Sequence, residues 1–340
     1  MKVLTARAAA GWLAVLGAAL AGAVVLGLAS GPSALAVGDA LRALVDPEAS
    51  GANADIVLRI RLPRVLLAAA VGAALAVAGA LFQALLRNPL ADPYVLGVSG
   101  GAALGGILAL SFGPALGWGA ATVPPAAFAG ALLATAFLYG VAGIRGRVSA
   151  THLLLVGVVF NAFASAGIVF VASLAGLADG TSLFLWLIGS LSAVRADAAP
   201  AVAAFLALGL ACALPLLRDL NLLALGEESA QQLGVEVARV QRVLLLSTSL
   251  MVGAAVAAAG LVGFVGLIVP HLLRLRLGPD HRLLVPAAAL GGAAFLVLCD
   301  TAARTLFGGR ELPVGAITAL AGGPLFLYLL RRSQLRSFAP

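Results

Sequence analysis

Long apolar stretches, separated by short polar segments, follow one another along nearly the whole 340-residue chain. A helix of about 20 apolar residues is long enough to cross the roughly 30 Å hydrocarbon core of a bilayer. Eight stretches meet this requirement: 8–29, 63–86, 94–112, 121–143, 151–175, 198–217, 282–303 and 313–330. We therefore predict an all-α polytopic membrane protein that forms one transmembrane domain over residues 1–340.

The charge content agrees with a lipid-facing surface and excludes several function classes. Only 10% of the residues are charged, whereas a soluble domain carries roughly 25%. The net charge of +7 comes from single or paired arginines, not from a basic stripe that could track nucleic-acid phosphates. The two cysteines and three histidines lack metal-ligand spacing, so neither a metal nor a cofactor is expected.

The acidic residues and the single lysine bear on the energy source. Asp300 is the only acidic residue inside a predicted span, and Arg304 follows on the same helical face. An ion-coupled carrier usually needs ionisable groups near the midplane of the membrane, so secondary transport is disfavoured. No catalytic constellation indicates an enzyme.

Because Lys2 is the only lysine, the chain cannot contain a P-loop. If ATP drives this protein, the ATPase is another subunit.

The stretch 243–273 is too long for one simple span and short for two, and its glycines and Pro270 suggest a helix, a turn and a shorter second leg. Lysine and arginine accumulate in cytoplasmic loops. If this stretch crosses the membrane twice, the chain has ten spans with both termini inside, and fourteen basic residues lie inside against seven outside. If it crosses once, ten basic residues lie inside and eleven outside, and the bias disappears. Ten spans are predicted.

A weak internal repeat accompanies this count. The segment from Arg64 to Gly79 resembles the segment from Arg242 to Gly260, which is three residues longer. In the ten-span topology the two copies run in opposite directions across the membrane, as in an inverted repeat.

The connection 218–242 is longer than the other predicted cytoplasmic loops and is amphipathic. Leucines alternate with acidic and amide side chains, and Gly226 and Gly234 offer breaks, so two short helices joined by a turn are predicted. Such a polar hairpin is suited to docking a soluble partner. An interfacial helix lying on lipid is the alternative, which the acidic residues disfavour.

Several motifs in fixed order resemble the iron-chelate, haem and cobalamin importer permeases, the FecCD/BtuC-like family. The resemblance covers about residues 10–332. The segments that carry it are Arg61-Leu-Pro-Arg64, Gly79–Gln83, Asn88-Pro-Leu-Ala-Asp-Pro93, Leu96-Gly-Val-Ser-Gly-Gly101, Gly263–His271, Asp300, Arg304 and Glu311-Leu-Pro-Val-Gly315.

This resemblance implies a type II ABC-importer permease fold, a homodimer in the bacterial inner membrane, two cytoplasmic ATPase subunits and an external substrate-binding protein. The implied cargo is a metal chelate, with iron–siderophore favoured on family frequency and cobalamin or haem as alternatives. The apolar pathway residues do not encode which chelate is carried.

The resemblance also assigns roles to individual residues. Three outer-face arginines would meet acidic groups of the binding protein: Arg61, Arg64 and Arg304. Asn88 and Leu90 match the cytoplasmic gate loop, and 176–189 occupies the place of the outer gate helix. Four residues would couple the permease to the ATPase: Glu227, Glu228, Ala230 and Gly234. The last three have the E-x-A-x-x-x-G spacing of importer coupling loops, but the usual downstream I-x-L-P is absent.

Overall fold

The computed structural model describes residues 6–31, 33, 35–46, 51–94, 97–117, 119–144, 147–175, 187–192, 195, 197–306 and 311–337. In chain order its helices are α1 (Ala6–Ala29), α2 (Val37–Val45), α3 (Ala52–Asp55), α4 (Leu62–Leu85), α5 (Val98–Phe112), α6 (Val123–Ala142), α7 (Ala150–Leu174), α8 (Ala198–Ala213), α9 (Leu217–Leu223), α10 (Glu227–Gln232), α11 (Val237–Ala259), α12 (Val265–Leu277), α13 (His281–Thr305) and α14 (Val314–Ser337).

Shorter elements join these helices. A π-helical turn, Ile56–Arg61, leads into α4, and 3₁₀ turns occupy Pro114–Leu116, Ala120–Thr122 and Leu214–Leu216. Strands β1 (Gly143–Ile144) and β2 (Arg147–Val148) form an antiparallel ribbon that pairs Gly143 with Val148 and Ile144 with Arg147. This ribbon is the one departure from the predicted all-α fold among the described residues.

The prediction of about ten membrane helices is confirmed. Seven helical segments among the described residues have the length and composition to cross a bilayer, one of them, Ala198–Leu223, being α8 continued through a 3₁₀ turn and α9. Helix α5 and the Val314–Tyr328 part of α14 are shorter apolar helices. Helix α12 is the short second leg predicted within 243–273, and residues 260–264 form the turn before it. Gly260 and Phe264 both have positive φ at this turn, so the backbone is sharply redirected there.

The break after α11 packs against other irregular backbone. Ser190 N donates to the carbonyl of Ala259 at 2.9 Å, and Gly315 N donates to the carbonyl of Gly189 at 3.2 Å. Lipid offers backbone groups no hydrogen-bond partners, so irregular segments at membrane depth must satisfy one another inside the protein. Residues 187–190, the 260–264 turn and the start of α14 do this together.

Helix α4 is the centre of the bundle and packs against α8, α11, α12 and α13. Every residue from Val71 to Leu85 is buried. Small residues permit this crowding, because a Cβ built on Gly72 would lie 2.2 Å from the carbonyl oxygen of Gly292, and one on Gly79 would lie 1.9 Å from that of Gly266. The backbones of α12 and α13 are therefore in direct contact with α4.

The bundle has two distinguishable ends. We call the end that holds Arg61, Arg64 and Arg304 the arginine end, and the opposite end, which holds the two short helices α9 and α10, the α9–α10 end. Helix α1 starts at the α9–α10 end, where Leu13 packs against a cluster formed by Leu277 and neighbours. The outer layer is formed by α1 on α13, α14 on α13 and α12, and α5 between α6 and α7.

We predict that Gly79→Ala lowers the thermal unfolding temperature of the detergent-purified protein. The added methyl group would force α4 and α12 apart, and overpacking of this kind typically costs about 1–3 kcal/mol. Gly22→Ala is the matched control, because a Cβ at Gly22 in α1 meets nothing within 4 Å. Equal unfolding temperatures for the two variants would contradict the close approach at Gly79.

Candidate functional sites at the two ends of the bundle

At the arginine end, the carboxylate of Asp300 is shared by two arginines. Arg64 Nε lies 3.0 Å from Oδ1 of Asp300, and Arg304 Nε lies 3.0 Å from Oδ2. Asp300 and Arg304, which the sequence places on one helical face, are therefore in contact. All three side chains are buried, and Arg64 Nη1 also pairs with Glu311 Oε2 at 3.0 Å. Two carboxylates thus balance the charges of two guanidinium groups in this cluster.

The guanidinium groups of Arg61 and Arg304 also cap the end of α1. Carbonyl groups in the last turn of a helix have no intrahelical donor. Arg61 Nη1 donates to the carbonyls of Leu28 at 2.7 Å and Ala29 at 2.8 Å, and Arg304 Nη2 donates to Gly27 at 3.2 Å. Cations are favoured at this negative end of the helix dipole. The arginine end therefore ties α1, α4 and α13 together.

These contacts bear on the predicted docking role of the arginines. Arg61, Arg64 and Arg304 are only 3%, 7% and 4% exposed, and each is engaged by a group of this chain. Solvent reaches this end through other side chains, namely Glu311, which is 43% exposed, and the ion pair between Arg59 and Asp55. Contact with a binding protein stays a prediction for the three buried arginines.

At the other end of α4, the chain turns through a Schellman motif, in which backbone N–H groups beyond the helix bond back to its last turn. Asn88 N donates to the carbonyl of Gln83 at 3.1 Å, and Arg87 N donates to that of Ala84 at 3.1 Å. The left-handed position of the motif, with φ of 49°, is Arg87. Glycine usually occupies this position, because a Cβ is disfavoured in the left-handed region.

The predicted gate residues lie in the loop that follows. Asn88 Oδ1 accepts from the backbone N–H of Leu90 at 2.9 Å, so the asparagine side chain fixes the turn that carries Leu90. Asp92 Oδ1 likewise accepts from the backbone N–H of Tyr94 at 2.9 Å. Burial raises the pKa of Asp92 to about 6, although the bond from Tyr94 partly offsets this effect.

Side chains of α12 hold the base of this loop. Arg274 Nη1 donates to Gln83 Oε1 at 2.8 Å, and Gln83 Nε2 donates to the carbonyl of Leu267 at 3.2 Å. The backbone N–H of Asn88, which donates to the carbonyl of Gln83, connects the loop to the same group of residues. The polar residues of the Gly79–Gln83, Asn88–Pro93 and Gly263–His271 motifs, which are far apart in sequence, thus meet at one place.

The predicted pair of short helices in 218–242 is confirmed, as α9 and α10. Gly226 and Gly234, with φ of 117° and 87°, bracket α10, and Ala230 is fully buried on its inner face. Helix α9 is anchored to the start of α13, because Asn221 Nδ2 donates to Asp280 Oδ1 at 2.7 Å and Asn221 Oδ1 accepts from the His281 N–H at 3.0 Å. Burial alone would raise the pKa of Asp280, but the hydrogen bonds from Asn221 and Arg282, together with the positive charge nearby, outweigh this effect and lower the pKa.

The structure joins the predicted gate and coupling segments. Arg87 Nη2 lies 3.0 Å from Glu227 Oε1, and both side chains are partly exposed. Sequence reasoning missed this contact, because the two residues lie 140 positions apart. The sequence signals for this contact were weak: Arg87 directly precedes the predicted gate residue Asn88, and Glu227 is one of the predicted coupling residues.

A large apolar groove of about 1070 Å³ lies between α5, α6 and α7. Glycine, alanine, valine, leucine and phenylalanine provide its whole lining, including Phe137, Phe160 and Phe163. It therefore offers no ionisable group for proton or sodium coupling.

Within the described residues no cluster of three or more histidine, cysteine or acidic side chains could hold a metal ion. Of the predicted outer gate stretch, 176–186 lie outside the described residues.

We predict that Asp300→Asn strongly destabilises the protein, because Arg64 and Arg304 would then be buried without full compensation. Removing one partner of a buried ion pair typically costs about 3–5 kcal/mol. Asp55→Asn is the matched control, since it breaks an exposed pair with Arg59 that is worth about 0–1 kcal/mol. Thermal unfolding in detergent compares the two, and similar losses would argue against the central role of Asp300.

Comparison with known proteins places this geometry in a family. The model of the FecCD transport family matches residues 19–332. The chain is 46% identical over 282 residues to the cobalamin import system permease protein BtuC of Halobacterium salinarum, covering 83% of this chain and 75% of that protein. It is 43% identical over 306 residues to the hemin transport system permease protein HmuU of Yersinia pestis, covering 86% and 88%.

A solved structure agrees with the sequence matches. An inward-facing conformation of a putative metal-chelate type ABC transporter superposes with a TM-score of 0.82 at 30% identity, covering 95% of this chain and 99% of the other. The family match spans nearly the whole length of the bundle, including both ends described above. The chain is a multi-pass membrane transport protein rather than an enzyme, and it belongs to the FecCD transport family of ABC-importer permeases.

Proposed function

We propose that this chain forms the translocation pathway of an ATP-driven importer for a large metal-containing macrocycle, with cobalamin as the first candidate cargo. The observation that carries the proposal is the match to the cobalamin permease over most of both chains. Haem is the second candidate, supported by the 43% identity to the hemin permease. Iron–siderophore, which the sequence favoured on family frequency, ranks behind both.

The working assembly in this proposal contains two copies of the chain, two ATPase subunits and one external binding protein. The single lysine at position 2 leaves the chain without a P-loop, so ATP hydrolysis requires another polypeptide. The exposed face of helix α7 is an argument for the second copy and for the pathway. Most of its apolar side chains, including Phe163 and Phe170, are not covered by other residues of the single chain.

In the proposed orientation, the arginine end faces outward and the α9–α10 end faces the cytoplasm of a bacterium, with both termini inside. The excess of basic residues on the α9–α10 side supports this orientation. The ATPase then engages α10, the helix that carries Glu227 and Glu228, while Ala230 and Gly234 fix the position of that helix. Asn88 and Leu90 form the cytoplasmic gate, whose base α12 supports.

Docking of the binding protein at the arginine end is proposed with one refinement. A partner carboxylate can reach Arg64 only by replacing Glu311, which is the exposed member of the cluster. The buried contacts of Arg61 and Arg304 instead keep the end of α1 in place. Charged groups at the rim of an interface, such as Glu311, affect the rate of association and the relative orientation of the partners more than the affinity.

We predict that proteoliposomes containing this chain, its ATPase and its binding protein accumulate radiolabelled cobalamin only when ATP is present on the ATPase side. Excess unlabelled cobalamin should compete fully, and haem and a ferric siderophore should compete weakly. Stronger competition by haem would reassign the cargo to the second candidate. Uptake driven by an ion gradient without ATP would overturn the proposed function.

We also predict that Glu311→Gln strengthens binding-protein docking by about 2- to 5-fold, the equivalent of roughly 0.4–1 kcal/mol for an exposed charge pair. The change removes the internal competitor for Arg64 and leaves Asp300 in place. Asp55→Asn controls for the same loss of negative charge at the same end. Binding of the labelled binding protein to nanodiscs measures the effect, and identical affinities for the two variants would exclude Arg64 as a docking residue.

A further inference from the structure

We propose that Arg87 is a positioning residue that couples the ATPase-facing helix α10 to the gate loop through its ion pair with Glu227. This proposal rests on the coupling role of α10 given above. The 3.0 Å contact between Arg87 Nη2 and Glu227 Oε1 is a side-chain ion pair that joins the α9–α10 hairpin to the loop after α4. Displacement of α10 would thereby pull directly on the residue that precedes Asn88.

The backbone at Arg87 has a conformation that glycine adopts more easily than arginine. Both hydrogen bonds of the Schellman motif are formed at the end of α4, and this motif favours glycine at the position of Arg87. An arginine there must hold its Cβ in the left-handed region, where side chains are disfavoured. The local fold would therefore be at least as well served by glycine. The guanidinium contact with Glu227 is what glycine could not provide.

The strength and exposure of the pair suit a contact that is remade in each transport cycle. The side chains of Arg87 and Glu227 are 39% and 30% exposed. Partly exposed ion pairs contribute little to stability and are screened by salt. Such a pair can break and re-form without unfolding the loop, unlike the buried cluster of Asp300.

The neighbouring contacts determine which parts can move. Helix α9 is fixed to the start of α13 through Asn221, and the base of the loop is fixed to α12 through Gln83 and Arg274. Between these two anchors, the Arg87–Glu227 pair joins α10 to the residue that precedes Asn88. Gly226 and Gly234 at either side of α10, both with positive φ, provide hinges for its movement.

Arg87→Gly is the sharpest test, because it keeps the preferred residue for the turn and removes only the guanidinium group. In proteoliposomes with the ATPase and the binding protein, we expect ATP hydrolysis to continue while substrate uptake per ATP falls about 2- to 5-fold, the fold equivalent of an exposed ion pair. Glu227→Gln should show the same loss. The charge-exchanged double variant Arg87→Glu with Glu227→Arg should recover most of the coupling.

Arg276→Ala is the matched control, since it removes one exposed positive charge from the same end of the bundle. It should leave the ratio of uptake to hydrolysis unchanged. Co-purification of the ATPase with each variant checks that assembly is intact. An unchanged ratio in Arg87→Gly, or a charge-exchanged variant no better than either single reversal, would overturn the proposal.

A readout without substrate separates this proposal from the proposed function. A spin label on Leu90→Cys, in a background with Cys212→Ser and Cys299→Ala, reports the mobility of the gate loop. ATPase binding should change the label spectrum when Arg87 is present and should have no effect in Arg87→Gly. If the wild-type system shows no ATP-dependent uptake, the proposed function fails. If uptake is normal but the spectral change persists in Arg87→Gly, only the role of Arg87 fails.

Discussion

The burial of α4 along its length determines where the functional groups of this protein lie. Because Gly72 and Gly79 present no side chains, the backbones of α13 and α12 reach contact distance, and the longitudinal position of each helix is then fixed. Asp300 on α13 is brought to Arg64 at one end of α4, and Arg274 on α12 is brought to Gln83 at the other. Both polar clusters are consequences of the same close packing of small residues.

The two ends use charge in different ways. At the arginine end, Arg64, Asp300 and Arg304 are removed from solvent, and the cost of burying them is offset by paired charges and by carbonyls at the end of α1. At the α9–α10 end, the Arg87–Glu227 pair remains partly exposed, and its contribution to stability is correspondingly small. A firmly fixed cluster at the arginine end combined with a weak contact at the α9–α10 end agrees with the proposed orientation, in which the moving gate lies at the α9–α10 end.

Local patterns in the sequence were sufficient for most of the fold. Apolar runs located the membrane helices, glycines at 260–266 predicted the break before α12, and the spacing of Asp300 and Arg304 placed both residues on one helical face. The sites were predicted less completely, because their contacts join distant segments. Nothing near Arg61 indicates that it caps α1, so a buried structural arginine could not be distinguished from an exposed docking residue. The left-handed conformation of Arg87 was equally hidden, since arginine carries no signal for that region.

The geometry of α4 also explains how events at opposite membrane surfaces can be related in one chain. Arg64 and Arg87 lie 23 positions apart at the two ends of a continuous helix, a separation of roughly 34 Å at 1.5 Å per residue. A helix packed this tightly moves as a rigid body rather than bending, because its glycine contacts leave no space for local adjustment. Because Arg64 and Asp300 are held together by the packing of α4 on α13, a movement of α4 that shifts the loop after Arg87 also shifts this pair relative to Glu311. The half-exposed Glu311 can accommodate that shift, while Asp300 remains enclosed by its two arginines.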